Sequence, residues 1–580
     1  MRLSPPPPLR LRYLARLARK WVRARPRIRA ALRSIPGFVP LLRFAMSHRE
    51  VSAEAAYSRW ARCVDRLDPA SRAAMECQMA SVRDRPKIAV VMPAYETPPT
   101  LLRAAIASVQ RQIWPEWELC IVDDASPSDR LRLVAAEFSG DPRIRFLRRE
   151  LNGHISAATN TALDMVTADW VALMDHDDLL PEHTLYRVAM HILAHPDAEV
   201  IFTDEDKVDH RGRRSGVYHK PGFDPDLLLS QNLVSHLGVY RRSLIEGAGR
   251  LREGFEGSQD HDLILRVSRL AGPGHIHHIP GVLYHWRQRA RGNQSFSEAS
   301  MERCLVTARR ALADHVAAQG VRGAEILPAP DLEFMHRVRW PLPEDAPRVT
   351  LMLEPGAEPG PLPPWPGLSV MHVIEGRRTA AASAMGDVLV FLGAGCCPTG
   401  EEWLRELVTQ ALRGEIGLAG GPVFSGNGEV LESGWVMGGP GFAQPAYCAL
   451  HAHELGHGGA LRLVRRVSAV GGGGFALRRE TLAALGGFDD SLPDPWQLLE
   501  LCARLRGAGL AVLCCPQAAV RREVRAPNWA AVPPPALAAR LRALHGRFVT
   551  EEAHFSPLLD PATGLPRLTA AGLTPHWGRI

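Results

Sequence analysis

No acidic residue occurs before Glu50, although thirteen arginines and lysines crowd the same stretch. No apolar run in the 580 residues is long enough to span a bilayer and no signal peptide is visible, so neither an integral membrane protein nor a secreted one is expected. The ten cysteines include two adjacent pairs, Cys396-Cys397 and Cys514-Cys515, but no CxxC spacing. That argues against a zinc module and a disulfide framework, and suits a reducing cytosol. Glycine fingerprints are missing too. The turn after the first apolar run is Pro93-Ala94-Tyr95-Glu96-Thr97, not GxGxxG, and no GxxxxGK[ST] occurs anywhere. NAD, FAD and P-loop nucleotide chemistry are thereby disfavoured. A chain of this length exceeds one ordinary core, so two or more domains are expected.

What is present centres on Trp170-Val171-Ala172-Leu173-Met174, which breaks directly into Asp175-His176-Asp177-Asp178. A short apolar run of this kind reads as a buried parallel strand delivering acids to a sheet edge, where open α/β sheets bind ligands. Crowded carboxylates repel unless a cation sits among them. A hard divalent ion such as Mg²⁺ or Mn²⁺ is the natural partner, and a solvated acidic turn is the plainer alternative. Upstream, Ile88–Met92 and Leu119–Val122 read as strands, the second ending in Asp123-Asp124-Ala125-Ser126. Helical spacing over Pro99–Gln112, Ser128–Ser139 and Ser156–Val166, with a short strand at Ile144–Leu147, completes a βαβαβ alternation. This predicts an α/β, doubly wound sheet with right-handed crossovers. A nucleotide whose phosphates are held by a metal, rather than by a glycine loop, fits these strand ends best.

The ordered set VVMPAYE, IVDDAS, NGHISAATN, ALMDHDDLLP, TDEDK, HKPGFDPDLLLSQN, GSQDHDLILRV and HIPGVLYHWR, from about Lys87 to Arg287, resembles family 2 glycosyltransferases of the GT-A fold. The long form ending in YHWR is similar to enzymes of bacterial surface-polysaccharide, rhamnan or O-antigen assembly. The resemblance implies a nucleotide-diphospho-sugar transferase fold with a doubly wound mixed sheet, a nucleotide-sugar donor, and a glycan or lipid-linked glycan acceptor. Pro93, Tyr95 and Asp124, with Glu96 and Asp123 beside them, fall where the family holds the nucleotide; Asp175 falls near the ribose. Asp177 matches the metal ligand, Asp178 lies close by, and His285 is a further candidate ligand or else a hydrogen-bonded structural histidine. Arg287 is a candidate for the phosphate charge. Asp260 sits at the general base, after Gln259 where a Glu is usual, although Asp is also favoured at helix starts. HWRQ is not the QxxRW of processive members, so transfer of single sugars, by an inverting displacement, is implied. Lys207 and Lys220 read mainly as surface charges.

Six segments are expected. Residues 1–50 form a basic arm, with Leu11, Leu14, Leu17, Trp21 and Val22 at roughly helical spacing. Lying on an anionic membrane surface through residues 1–45 is one reading of that arm; a solvated tail and a nucleic-acid contact are the others, and no nucleic-acid substrate is expected. A helical segment (51–85) precedes the catalytic domain (86–297), and a helical, proline-rich linker (298–347) follows it. Residues 348–525 form a second, degenerate GT-A-like domain, and 526–580 a tail. In this second half Asp387–Leu392 repeats the central strand but runs into Gly393-Ala394-Gly395, and Leu498 falls where the base should be. It is expected either to bind acceptor or to be a packed remnant. A cytoplasmic protein, peripheral on the inner membrane face if the arm binds there, is expected. A non-catalytic scaffold is the competing class; a two-carboxylate glycoside hydrolase fits the acid cluster poorly.

Overall fold

A computed structural model describes residues 57–62, 65, 67–288, 298–374, 376–438, 442–523 and 533–566. The basic arm therefore lies outside the described residues.

The first half is built on an eight-stranded sheet: β1 (Ile88–Ala94), β2 (Trp117–Asp123), β3 (Ile144–Arg148), β4 (Trp170–Leu173), β5 (Val200–Val208), β6 (Arg214–Tyr218), β7 (Gly238–Arg241) and β8 (Ile276–Arg287). Its order is β3-β2-β1-β4-β7-β5-β6, with β8 also on β5. β1 to β4 run parallel, β7 runs against both β4 and β5, and β8 is parallel to β5. The mixed, doubly wound sheet expected from the sequence is thus present. β1 is buried on both faces, which explains its unbroken apolar sequence. Ile88, Val90 and Met92 face a core with the helices Pro99–Gln110 and Thr184–Ala194, while Ala89 and Val91 face His154–Met165 and Gln259–Ala271. Each large apolar side chain buried in these layers contributes about 1.5–3 kcal/mol. β1, β2 and β4 pair in parallel and β5 runs the same way across the reversed β7, so the carboxyl ends of these four strands emerge on one edge.

The second half repeats this plan. Its seven-stranded sheet runs Leu368–His372, Val349–Leu353, Val388–Leu392, Gly474–Arg478, Ile416–Gly420, Ala511–Cys514, Arg465–Arg466. The first three are parallel, the fourth is antiparallel to its neighbours, and the sixth is parallel to the fifth, as in β2-β1-β4-β7-β5-β8. No counterpart of β3 occurs in this sheet.

Two segments differ from expectation. Residues 298–347 are not a linker: the helix Glu298–Ala318 is followed by the hairpin β9 (Glu325–Ala329) and β10 (Leu332–Arg339). Ala329, Val338 and Trp340 are buried in the first half's core. Of the prolines that suggested irregularity, Pro328 is accommodated at a bulge, where it pairs with His336. The tail is likewise ordered over 533–566. Leu558 packs with Tyr57, Trp60 and Val282, so chain from near both described ends meets on β8.

Buried charges join the halves. Asp226 is 1% exposed and pairs with Arg413 at 2.6 Å and Arg466 at 2.8 Å. Asp224 caps the short helix Pro225–Leu228 and accepts the Arg466 backbone N–H at 2.7 Å. The His219 backbone N–H donates to His457 Nε2 at 3.0 Å.

Candidate functional site

Two adjoining cavities open along the carboxyl edge of the first sheet. The smaller, about 390 Å³, is lined by Pro93, Ala94, Tyr95, Asp124, Asn152 and His154 among others. The larger, about 1110 Å³, is lined by Asp175, His176, Asp177, Lys207, Asn232, His236, Asp260, Trp286 and Arg287 among others. Pro93, Ile155, His176, Gly257 and Cys304 line both, so the cavities adjoin. Four non-glycine residues near them, three on loops and one opening a helix, adopt left-handed backbone angles: Glu96 (φ 48°), Ala125 (φ 56°), Ser235 (φ 34°) and His154 (φ 63°). Such conformations concentrate at binding sites because surrounding packing must enforce them.

In the smaller cavity the Asp124 carboxylate is fixed by the Gly153 N–H at 3.0 Å and by Arg149, while Tyr95 stays 47% exposed. An exposed ring beside a fixed carboxylate can stack on a base and accept from its N–H groups. Asp123 is fully buried, takes the Ser126 N–H at 3.0 Å, and lines neither cavity. Glu96 also lies outside both; its carboxylate accepts from Ser128 at 3.3 Å.

The acid cluster divides by role. Asp178 is buried, with one oxygen taking the Tyr284 O–H at 2.6 Å and the other the Arg287 N–H at 2.7 Å. Burial and the neighbouring Asp175 push its carboxyl up to about 7. Asp175 and Asp177 turn into the larger cavity. His236, which the sequence did not single out, stacks on Tyr284 at 4.6 Å and places Nε2 3.8 Å from Asp175. Burial opposes its protonation, but the carboxylates of Asp175, Glu205 and Asp178 outweigh that and raise its pKa. Ligand atoms of Asp175, Asp178 and His236 lie within 4.8 Å of one another. With Asp177 beside them, this oxygen-rich donor set suits a hard or borderline divalent ion.

His285 is not brought to the cleft. Residues alternate along β8, so Tyr284 and Trp286 face His236 while His285 faces away and bonds Asp206 at 2.6 Å. Lys220 is corrected as well: it is fully buried, and its ammonium donates to Glu205 at 3.2 Å and to the Val234 and His236 carbonyls at 2.8 Å. It braces the loop carrying His236. Lys207 lies in the cleft, its ammonium 5.2 Å above Trp286. Arg287 lines the cleft with a buried Nε that has no hydrogen-bond partner. Opposite, Asp260 stands in the first turn of Gln259–Ala271; Asn232 donates to one oxygen at 2.7 Å and the His261 N–H to the other at 2.9 Å.

The second half has closed the corresponding edge. Aligning the strand pairs on Trp170↔Arg241 and Val388↔Arg478 puts Gly393 and Gly395 at the places of Asp175 and Asp177, and Gly473 at that of His236. The Gly393 N–H donates to the Gly473 carbonyl at 2.8 Å. Nearby, buried Arg377 binds Glu354 and Asp494 at 2.6 Å each. A Cβ on Gly393 would lie 1.8 Å from the Gly472 carbonyl oxygen. Gly393→Ala is therefore expected to destabilise the chain by about 1–3 kcal/mol through overpacking, while activity per folded molecule is unchanged. Thermal melts paired with active-fraction assays check this.

A doubly wound α/β sheet with an acid-lined cleft at its carboxyl edge places the candidate site where open sheets of this class bind ligands. Residues 89–248 match the model of glycosyl transferase family 2, so the first half carries a domain of that family. The chain is 31% identical over 474 residues to uncharacterized protein y4gI of Sinorhizobium fredii, covering 74% of this chain and 52% of that protein. It is 32% identical over 505 residues to O-antigen biosynthesis protein RfbC of Myxococcus xanthus, covering 80% of this chain and 39% of that protein. The chain thus spans about half, or less, of these relatives' length. Among solved structures, S. aureus TarS 1-349 in complex with UDP-GlcNAc aligns at 20% identity and a TM-score of 0.34, over 40% of this chain and 66% of that one. So slight a likeness carries no argument here.

Proposed function

We propose that the first half transfers one sugar from a nucleotide-sugar donor to a hydroxyl of a glycan or lipid-linked glycan acceptor, with inversion, in cell-surface polysaccharide synthesis. The observation that carries this reading is that Asp177 and Asp260 line one cleft, which shares wall residues with the cavity of Pro93, Tyr95 and Asp124. The name of the Myxococcus relative supports the polysaccharide setting. In this reading Tyr95 and Asp124 receive the base, and Arg287 and Lys207 meet the diphosphate. Asp177, with Asp175 and His236 beside it, holds Mg²⁺ or Mn²⁺, which when bound offsets charge on the leaving diphosphate. Asp260, oriented by Asn232, takes the proton of the acceptor hydroxyl as that oxygen attacks the anomeric carbon opposite the diphosphate. A single displacement of this kind inverts the carbon.

Among the described residues no helix is long and apolar enough to cross a membrane. Attachment to an inner membrane face would rest on the basic arm. The test is incubation of the full chain with a panel of nucleotide sugars and Mn²⁺ or Mg²⁺, reading nucleoside diphosphate release. Asp177→Ala is expected to remove the ion-dependent part of donor binding, read by calorimetry with and without the ion. Absence of both turnover and nucleotide binding across the panel would favour a non-catalytic scaffold.

A further inference from the structure

The opposite edge of the first sheet carries a second cluster of metal-ligating side chains. His191 stands in the last turn of Thr184–Ala194, His195 caps that helix, and His277 is the second residue of β8. Histidines four apart on a helix share one face. β8 brings the third to that face. Ring centroids are 4.4 Å apart for His191 and His195, 5.2 Å for His191 and His277, and 5.1 Å for His195 and His277. One ring nitrogen from each lies within 4.8 Å of the other two.

We infer that His191, His195 and His277 form a binding site for a borderline divalent transition ion of the Zn²⁺ type, clamping the end of this helix to the start of β8. The tautomers favour it. His277 Nε2 lies 3.2 Å from the Gly274 carbonyl, which can only accept, so Nε2 carries the proton and Nδ1 presents its lone pair. That Nδ1 is 3.1 Å from His191 Nε2. Two nitrogens on one tetrahedral ion with bonds of about 2.0–2.1 Å lie about 3.3 Å apart, so little movement is needed. A ligating histidine that donates its other N–H to a backbone carbonyl is the usual outer-shell arrangement of such sites. Three imidazolium charges packed this closely would repel, so the neutral, ligating form is the one the packing favours. His195 is exposed and the other two are partly exposed, so an ion can enter from solvent. Three imidazoles leave a fourth position for water.

This site differs from the cleft in both place and chemistry. β8, twelve residues long, enters the sheet here and leaves it at Trp286 and Arg287 in the cleft. Imidazole sites select Zn²⁺-type ions, whereas Mg²⁺ requires oxygen ligands. The full chain, stripped with a chelator and kept in excess Mg²⁺, is titrated with Zn²⁺ by calorimetry. The wild type and Asp177→Ala are expected to bind one equivalent more than the His195→Ala/His277→Ala variant. Co²⁺ in place of Zn²⁺ is expected to give the visible absorption of a four-coordinate site in the wild type only. Zn²⁺ is expected to raise the Tm of the wild type and not of the variant. Should the double variant fail to fold, His195→Ala alone, at an exposed position, is expected to weaken binding by more than the roughly 10–100-fold of an outer-shell loss. Equal Zn²⁺ stoichiometry and affinity in the wild type and these variants overturns the inference. So does loss of the equivalent in Asp177→Ala alone.

Discussion

Asp260→Asn is expected to lower sugar transfer by about 10²–10⁴-fold while donor affinity changes little, because the lost group takes a proton only in the transition state. That is about 3–5 kcal/mol of barrier. The substitution is not perfectly isosteric here. Both Asp260 oxygens accept, one from Asn232 at 2.7 Å and one from the His261 N–H at 2.9 Å, so an amide must turn its NH₂ toward one donor. Asn232 cannot simply flip in response, since its own Oδ1 accepts the Ser235 N–H at 3.0 Å. A stability loss of about 1 kcal/mol is expected from that conflict, and donor titration of the folded variant separates it from the chemical effect. Asn232→Ala provides the complementary result. It leaves the carboxylate but frees its orientation, so kcat is expected to fall less than in Asp260→Asn and the pH–rate profile to move. Transfer retained within tenfold in Asp260→Asn would remove it as the base.

Which parts of this site were legible in the sequence follows from how each is assembled. Pro93, Tyr95 and Asp124 sit at the ends of adjacent parallel strands, where strand order alone brings neighbours together, and they share one cavity. Asp177 and Asp260 share the larger one, although separated by 83 positions, because β4 ends and the helix Gln259–Ala271 begins on the same edge. His236 was missed. It lies before β7, in a Ser-His-Leu with no acid beside it, and only the antiparallel β4–β7 pairing carries it to Asp175. The repeated Arg-Arg, whose first arginine ends β7 and Gly474–Arg478 alike, was the available signal, since it fixes the register that sets His236 against Asp175. His285 misled for the opposite reason: a histidine in a motif is visible, but strand alternation decides which face it occupies. Lys220 shows the same limit, since a lysine beside His219 reads as solvated until Glu205 and two loop carbonyls are seen to enclose it.

Asp226→Ala is expected to destabilise the full chain by about 3–5 kcal/mol, because breaking a buried pair leaves its partner charges uncompensated. Asp226 is the shared acid of Arg413 and Arg466, and neither arginine is more than 20% exposed. Partial relief exists on both sides. Arg413 retains Glu415 at 2.7 Å, and Asp224 lies beside Arg466. The low end of the range is therefore expected, read by urea denaturation with an unchanged m-value. Replacing the acid together with Arg466 by apolar residues of similar volume should recover much of the loss, and the double-mutant cycle isolates the pair from the cavity. Asp224 adds a pH signature. Burial and Asp226 push its carboxyl up to about 6 from an ordinary 3.8, so between those values the folded chain binds more proton than the unfolded one. Stability from this group is then greatest at the acid side and falls as pH rises toward about 6. Removing Asp226 takes away the repulsion, so the slope should flatten in the variant. The consequence reaches the cleft. The helix capped by Asp224 leads directly into Gln231 and Asn232, and Asn232 orients Asp260. A variant that is folded but loosened at this junction should lower kcat more than it weakens donor binding at Tyr95 and Asp124, which follow the ends of β1 and β2 rather than the capped helix. Donor binding weakened in parallel with kcat would place the second half's influence on the whole catalytic domain instead of on the base side alone.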